Sequence, residues 1–342
     1  MRKILHSILL TINILFAVAL LASSVAELVK PSTIILFSLL SYGYLILVIA
    51  NLCFVLLWLL LRRMEAIVSV VAILVRCSLL SLFFQVGGTS EASYDDDSCQ
   101  LSVMTFNLHS LMGPDAQSTA SENAPALVSL FRQYQPDVVC LQEYYEPQFY
   151  SLSDTLKHIG YQYWFRSKRL VMLSRLQLDD TTRIDKYGKL MATVTINDKK
   201  ITLIGVHLDS YQLDQDDLNN VEHPNSNKML PTIKKFSETI RQHETEWHQC
   251  LLPVIESIKT PLILMGDHND TPSSYLYGQI TQYLSDTYCE CGQGFGTTYH
   301  GPFPAFRIDY IFHSPHLQTL SYQRIITNIS DHYPILSKYT IN

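Results

Sequence analysis

Residues 4–25, 33–61 and 66–86 are three almost unbroken apolar runs, and they demand two different solvents for one chain. A helix needs roughly 20 residues to cross a hydrocarbon core about 30 Å thick, and each run reaches that length. None carries the polar stripe of an amphipathic surface helix. The pattern predicts three transmembrane helices, with residues 1–89 as a membrane anchor that meets the lipid bilayer through residues 4–86. Arg76 falls inside the third run, where a lipid-facing charge is costly, so it is expected to face other helices or to mark the run's true limit. The first run also resembles a signal peptide, with Arg2-Lys3, an apolar stretch and the small residues Ala22-Ser23-Ser24.

Charge divides the chain at the same place. Of 25 Lys/Arg and 31 Asp/Glu, six and two fall within residues 1–90, which leaves a net of −10 beyond them. Arg2-Lys3 and Arg62-Arg63 read as cytoplasmic flanks, and three crossings then put residue 90 onward outside the cytoplasm. The expectation is a multi-pass membrane protein with an extracytoplasmic domain. Residues 90–100 have linker composition, and 101–342 form the domain. The seven cysteines include no C-x-x-C pair, which argues against a structural zinc site. Outside the cytoplasm a disulfide among Cys99, Cys250, Cys289 and Cys291 is permitted, with its pairing left open.

Beyond residue 100 short apolar strands alternate with a few helices. Strands are expected at 101–107, 137–143, 161–165, 170–173, 262–265, 306–312, 318–326 and 335–341. A hairpin is expected over 189–197 and 200–208 around Asn197-Asp198. Helices are expected at 124–135, 149–159 and 232–258. A polar insertion at 210–231 has no clear periodicity, the mark of a functional loop or a mobile one. This order suggests a layered α/β domain.

The stretch Leu262-Ile-Leu-Met-Gly-Asp-His-Asn-Asp270 is a buried strand whose tip delivers Asp267, His268, Asn269 and Asp270 together. Alone it reads as well as a simple Asx turn. Polar residues, however, end four other apolar strands or neighbour them: Asn107, Glu143, His207, and Asp309 with Asp331-His332. Strand tips are rigid mounts for chemistry.

The ordered pattern N…QE…HLD…GDxN…RxDYxF…SDH resembles the endonuclease/exonuclease/phosphatase superfamily. That group includes pancreatic deoxyribonuclease, abasic-site endonucleases, inositol polyphosphate phosphatases, tyrosyl-DNA phosphodiesterases and neutral sphingomyelinases. The resemblance covers about 100–342 and says nothing about 1–90. It implies a four-layer α/β sandwich, two packed mixed β-sheets flanked by helices, and metal-dependent hydrolysis of a phosphate ester. By the same resemblance Glu143, Asn107 and Asp331 are metal positions, for Mg2+ with Mn2+ as a substitute. His207 is the histidine that bonds a phosphate oxygen. Asp267 and Asn269 orient the attacking water and the phosphate. His332 lies beside the scissile bond, and Asp309 orients His332.

These residue types suit the reaction. A phosphodiester is anionic and repels hydroxide, so cleavage needs charge neutralisation and an aligned nucleophile. Magnesium takes oxygen ligands, typically one or two carboxylates together with substrate phosphate. Asp267 is assigned the base role and His332 transition-state stabilisation. His109 stands where abasic-site endonucleases carry Asp, and His207-Leu208-Asp209 replaces their Tyr motif, so abasic-site repair is disfavoured. His268, where Phe is common, reads either as a cleft contact or as a solvent-facing side chain. The aromatic cluster Tyr144-Tyr145, Tyr150, Tyr161, Tyr163-Trp164-Phe165 reads as core more readily than as pocket lining. A nuclease should carry a basic face, which a net of −10 does not supply. A membrane-tethered phosphodiesterase or phosphatase is therefore preferred over a DNA- or RNA-cleaving nuclease, with a non-catalytic binding domain as the remaining alternative.

Overall fold

The computed structural model describes residues 2–87, 100–144, 146–185, 188–211, 226–301 and 306–341. The expected linker, together with Cys99 and most of the polar insertion, lies outside the described residues. The chain divides into two compact units. One comprises 1–82, 210–245 and 270–282; the other comprises 83–209, 246–269 and 283–342.

The first unit corrects the three-span expectation. Helix α1 (Arg2–Ser23) belongs to an apolar helical run, Lys3–Leu28, that is long enough to cross a membrane. The second run breaks at Gly43 into α2 (Ile35–Tyr42) and α3 (Tyr44–Leu60), bent by 70°, so it counts as one span only if the bent pair is taken together. Glycine is a poor helix former, and its backbone tolerates such a corner. The third run yields only the ten-residue α4 (Ala66–Val75), which ends at Arg76. There the guanidinium pairs with Glu27. A charge that must find a partner cannot sit mid-span, and the helix stops where it appears. The described residues thus hold one candidate span, or two, rather than three. One span keeps the odd number of crossings that put residue 90 onward outside the cytoplasm and two reverse it, so the helices no longer support that placement. A buried polar chain ties the helices together: Asn13 donates to Ser69 (2.5 Å), Ser69 to Asn51 (2.8 Å) and the Trp58 indole to Asn13 (2.8 Å).

The second unit is the expected α/β sandwich. Its strands in chain order begin with β1 (Phe84–Gln85), β2 (Gln100–Asn107), β3 (Val138–Gln142), β4 (Tyr163–Ser167) and β5 (Leu170–Ser174). They continue with β6 (Asp179–Arg183), β7 (Leu190–Ile196), β8 (Lys199–His207), β9 (Leu262–Asp267) and β10 (Ser285–Asp286). The last are β11 (Gly294–Phe295), β12 (Asp309–His313), β13 (Leu317–Arg324) and β14 (Ile335–Ile341). One six-stranded sheet has the order β13-β14-β2-β3-β5-β4 and the other β10-β12-β9-β8-β7-β6. Both are mixed: β2 runs parallel to β3 and β8 parallel to β9, while the remaining neighbours are antiparallel.

The core between the sheets joins Val103, Cys140 and Met172 to Leu203, Ile263 and Met265. On the other face of the first sheet, Phe106, Leu141 and Leu173 pack under Leu127, Phe131 and Leu156 from the helices α5 (Ala120–Tyr134) and α6 (Glu146–His158). Tyr144 and Tyr161 belong to this core, while Tyr150 and Tyr163 are exposed. The long helix expected at 232–258 is instead Ser226–Glu246, a π-helical turn Trp247–Leu251 and a short helix Leu252–Ser257. Cys250, Cys289 and Cys291 carry no disulfide, and none forms among the described cysteines.

Candidate active site

Topology explains why the polar strand ends meet. In each sheet the parallel pair points its carboxyl ends the same way, bringing Asn107 opposite Gln142 and His207 opposite Asp267. Antiparallel β12 starts where β9 stops, so Asp309 pairs with Asp267. Gly266 makes the close approach of β8 and β9 possible. Its φ is +149°, and a Cβ there would meet the Val206 carbonyl oxygen at 2.0 Å. Glu143 follows β3 in a left-handed conformation (φ 52°), and Asn269 follows β9 in another (φ 48°). Both turns re-aim side chains at a point where the strand direction alone would lead them away.

The two sheet rims are joined by Asn107. Its amide donates to Asp267 Oδ2 (2.8 Å) across the sandwich and to Glu143 Oε1 (3.2 Å) beside it. Its own Oδ1 accepts from the His109 backbone N–H (3.0 Å). Asp267 also accepts from the Asn269 N–H (2.8 Å), and the Asn269 amide donates to the Leu208 carbonyl (2.9 Å). His207 Nε2 lies 3.5 Å from Glu143 Oε1 and 3.9 Å from Asp267 Oδ2. It is buried without a hydrogen-bond partner. His332 Nδ1 bonds Asp309 Oδ2 (2.8 Å), which turns Nε2 towards Asp267 Oδ2 (3.8 Å) and Asp331 Oδ1 (4.0 Å). All eight residues expected from sequence therefore lie in one neighbourhood.

Electrostatics separates their roles. Burial, reinforced by the neighbouring Asp309 charge, raises Asp267 to about 7. Burial alone would discharge His332, yet the adjacent Asp309 and Asp267 carboxylates override it and raise it to about 10. His207 moves down, chiefly through burial, and is neutral near pH 7. Glu143 stays low despite burial because His207, Asn107 and Arg169 favour its anion.

Ligand atoms of Asp267, Asp309 and His332 lie within 4.8 Å of one another, a separation a metal would allow. One edge of that triangle is the His332–Asp309 hydrogen bond, so this group is arranged to hold a proton. Of the positions the sequence assigned to a cation, Glu143 and Asp331 present carboxylates, whereas Asn107 turns its amide nitrogen to Glu143 and its Oδ1 to the His109 N–H.

Several neighbours escaped the sequence reading. Arg169, in the β4–β5 turn, reaches within 3.6 Å of Glu143 and donates to Ser110 (2.9 Å). Ser110 is the middle of three consecutive left-handed residues, His109, Ser110 and Leu111 (φ 43°, 54°, 61°). His109 Nδ1 lies 3.4 Å from Asp331 Oδ1. The Thr298 hydroxyl accepts from the Ile308 and Asp309 backbone N–H groups (3.1 and 3.0 Å) and fixes where Asp309 begins. Ser330 donates to the Asn107 carbonyl (2.7 Å) and so pins the loop that carries His332. Arg169, Ser110 and Thr298 stand in no motif, and only tertiary contact reveals them; His109 and Ser330 were visible in sequence without these contacts. His268 is neither a cleft contact nor solvent-facing. It is 1% exposed, set edge-on to Tyr310 and Phe312.

A profile of the Endonuclease/Exonuclease/phosphatase family matches residues 104–332. A second, described as a domain of unknown function (DUF8431), matches residues 6–83. No curated protein sequence matches. Among solved structures the chain is similar to the human Nocturnin catalytic domain with bound sulfate anion, at 18% identity over 71% of this chain and 95% of that one, with a TM-score of 0.53. It is also similar to D. rerio TDP2 complexed with single strand DNA product (19% identity, 70% and 99% covered, TM-score 0.51). A family protein from Bacteroides thetaiotaomicron gives 15% identity, 72% and 99% covered, and a TM-score of 0.51. At such identities the likeness speaks for the fold.

Proposed function

The chain belongs to the endonuclease/exonuclease/phosphatase family, and on that premise we propose that it is a divalent-metal-dependent hydrolase of phosphate esters, held at a membrane by its apolar N-terminal helices. The observation that carries the reading is the cross-sheet link Glu143–Asn107–Asp267, closed on its far side by the Asp309–His332 pair.

The donor set fits a hard cation. The Glu143 carboxylate is partly exposed and beside the unpartnered His207 Nε2, so the pair is incomplete as an internal hydrogen-bond network. Glu143, with Asp331, would hold Mg2+, or Mn2+ in its place; Asn107, whose Oδ1 accepts from the His109 N–H, would join them only with its amide turned over. When bound, the ion supplies positive charge against the phosphoryl oxygens.

The remaining work falls to the chain's own groups. Neutral His207 donates its Nε2–H to a phosphate oxygen. The Asn269 amide keeps one hydrogen free for another oxygen after bonding Leu208. Asp267 accepts the proton of the attacking water. Its pKa near 7 is well matched to a base operating at neutral pH. His332, fixed by Asp309 and cationic at that pH, cannot take a proton; it stabilises the charge that grows on the phosphoryl group and its leaving oxygen.

The substrate is expected to be a lipid headgroup or small phosphate ester, since a net of −10 beyond residue 90 repels a polyanion. The membrane reading is supported by the first unit's helices, where Leu15 is 63% and Leu60 83% exposed. The deciding experiment is a panel of phospholipids, phosphoinositides, nucleotides and oligonucleotides assayed with magnesium, manganese and chelator. Asp267→Asn is expected to lower turnover about 10²–10⁴-fold. Activity untouched by chelator, or a near-normal Asp267→Asn enzyme, overturns the mechanism. Faster turnover of DNA than of lipid or small esters reverses the substrate order.

A further inference from the structure

Strands β4 and β5 pair Ser167 with Leu170, so Lys168 and Arg169 alone make the hairpin turn. Asn, Asp or Gly is the usual choice in such a turn, because it demands positive φ. Here Lys168 takes φ 49° instead, and the segment Arg166-Ser-Lys-Arg169 gathers three basic residues in a unit that is otherwise acidic. Arg166 is occupied by Glu146 and by the Tyr150 hydroxyl.

Arg169 is held at the mouth of the site. Its Nη2 donates to the Ser110 hydroxyl (2.9 Å) and lies 3.6 Å from Glu143 Oε2, while the side chain stays 59% exposed. Ser110 is tied in turn to the Glu143 carbonyl through its backbone N–H (3.0 Å). The left-handed run His109-Ser110-Leu111 stores backbone strain, which collects where a side chain must be aimed. What this run aims is the guanidinium. Among the described residues the Ser110 bond is the one hydrogen bond that group makes, out of five N–H donors.

As a salt bridge the Glu143 contact explains little. An exposed pair with one nitrogen engaged at 3.6 Å adds almost nothing to stability. Its carboxylate, moreover, is the one assigned above to a cation. With Glu143 committed to that cation, two positive groups stand close together and need an anion between them. The phosphoryl group is that anion, and its oxygens and charge decide which ester fits. The cation, His207 and Asn269 already call on phosphoryl oxygens. A diester has two non-bridging oxygens and one negative charge, whereas a terminal monoester has three oxygens and two charges. A guanidinium fork matches two oxygens of such a group at once.

We propose that Arg169 is a specificity residue. Aimed by Ser110, it receives the additional oxygen and charge of a terminal phosphate, and so selects phosphate monoesters over diesters. The inference rests on the hydrolase reading above and names its substrate class.

The test titrates the full chain, in detergent with Mg2+ at pH 8, against methylphosphonate as the dianion and dimethyl phosphate as the monoanion, by calorimetry. Arg169→Ala is expected to weaken methylphosphonate binding about tenfold or more and dimethyl phosphate less than about twofold. Arg169→Lys keeps the charge and loses the fork, and Ser110→Ala keeps the arginine and loses its anchor; both should fall between. The urea midpoint of all three variants should stay at the wild-type value, since the arginine is exposed. In turnover, Arg169→Ala should raise KM for monoesters while kcat changes far less. Unaltered methylphosphonate affinity in Arg169→Ala overturns the inference. So does an equal loss for both anions, the mark of a general charge effect. A chain that binds methylphosphonate through Arg169 yet cleaves no phosphate ester overturns the hydrolase reading instead.

Discussion

Glu143 is the least comfortable residue of the site. A left-handed backbone costs a non-glycine residue roughly 1 kcal/mol or more, and glutamate lacks the short side chain that lets asparagine tolerate it at position 269. Glu143→Gly is therefore expected to raise stability by about 0.5–1 kcal/mol while abolishing activity, read as a higher urea midpoint beside a dead enzyme. Gly266→Ala should do the reverse of the first. With a methyl group 2.0 Å from the Val206 oxygen the backbone must shift, and a loss of about 3 kcal/mol or more is expected in chemical denaturation. Asp267 sets the pH profile. In the proposed mechanism its carboxylate is the base, so activity is expected to fall as acid protonates it, with a midpoint no higher than about 7. Asp267→Asn should remove that limb from the pH–rate curve.

At the level of elements, much was readable because local chemistry and tertiary role agree. The Asn197-Asp198 turn has both residues left-handed (φ 48° and 62°), as a two-residue hairpin requires. Helix α5 begins earlier than its apolar pattern suggests, because Thr119 and Glu122 form a capping box ahead of Pro125. Strand β6 is polar and largely exposed, so it offered no alternation to read. The eight strand-tip residues stood out because apolar runs end in them. Arg169 and Thr298 did not, since their significance lies in partners distant in sequence.

Lys189, just before β7, is another such case: 1% exposed, it holds Asp185 at 2.8 Å and Glu246 at 2.6 Å. Burial would raise the Asp185 carboxyl, but the Lys189 hydrogen bond and charge outweigh it and move it down. Its contribution is present above the unfolded-state value and is lost as pH falls through the folded one. Lys189→Met leaves two carboxylates buried and should cost about 3–5 kcal/mol, measured as a lower urea midpoint at pH 7.

For the molecule as a whole, the family resemblance was legible from six ordered motifs, whereas the membrane helices were misjudged because length and hydropathy do not register a Gly43 corner and were allowed to outweigh Arg76, which does mark the third run's limit. A bound cation should stabilise the folded chain by mass action. At a concentration near 100 times its dissociation constant Mg2+ adds about 2.7 kcal/mol, and calorimetry should show the shift vanish in Glu143→Ala.

Asn107 donates across the sandwich to Asp267, so neither sheet holds the whole of the proposed catalytic centre by itself. A nascent chain with only its first strands formed is expected to be inert. During refolding, turnover should return only after the two halves have docked, later than the circular-dichroism signal of the strands, which makes the protein its own reporter of correct assembly.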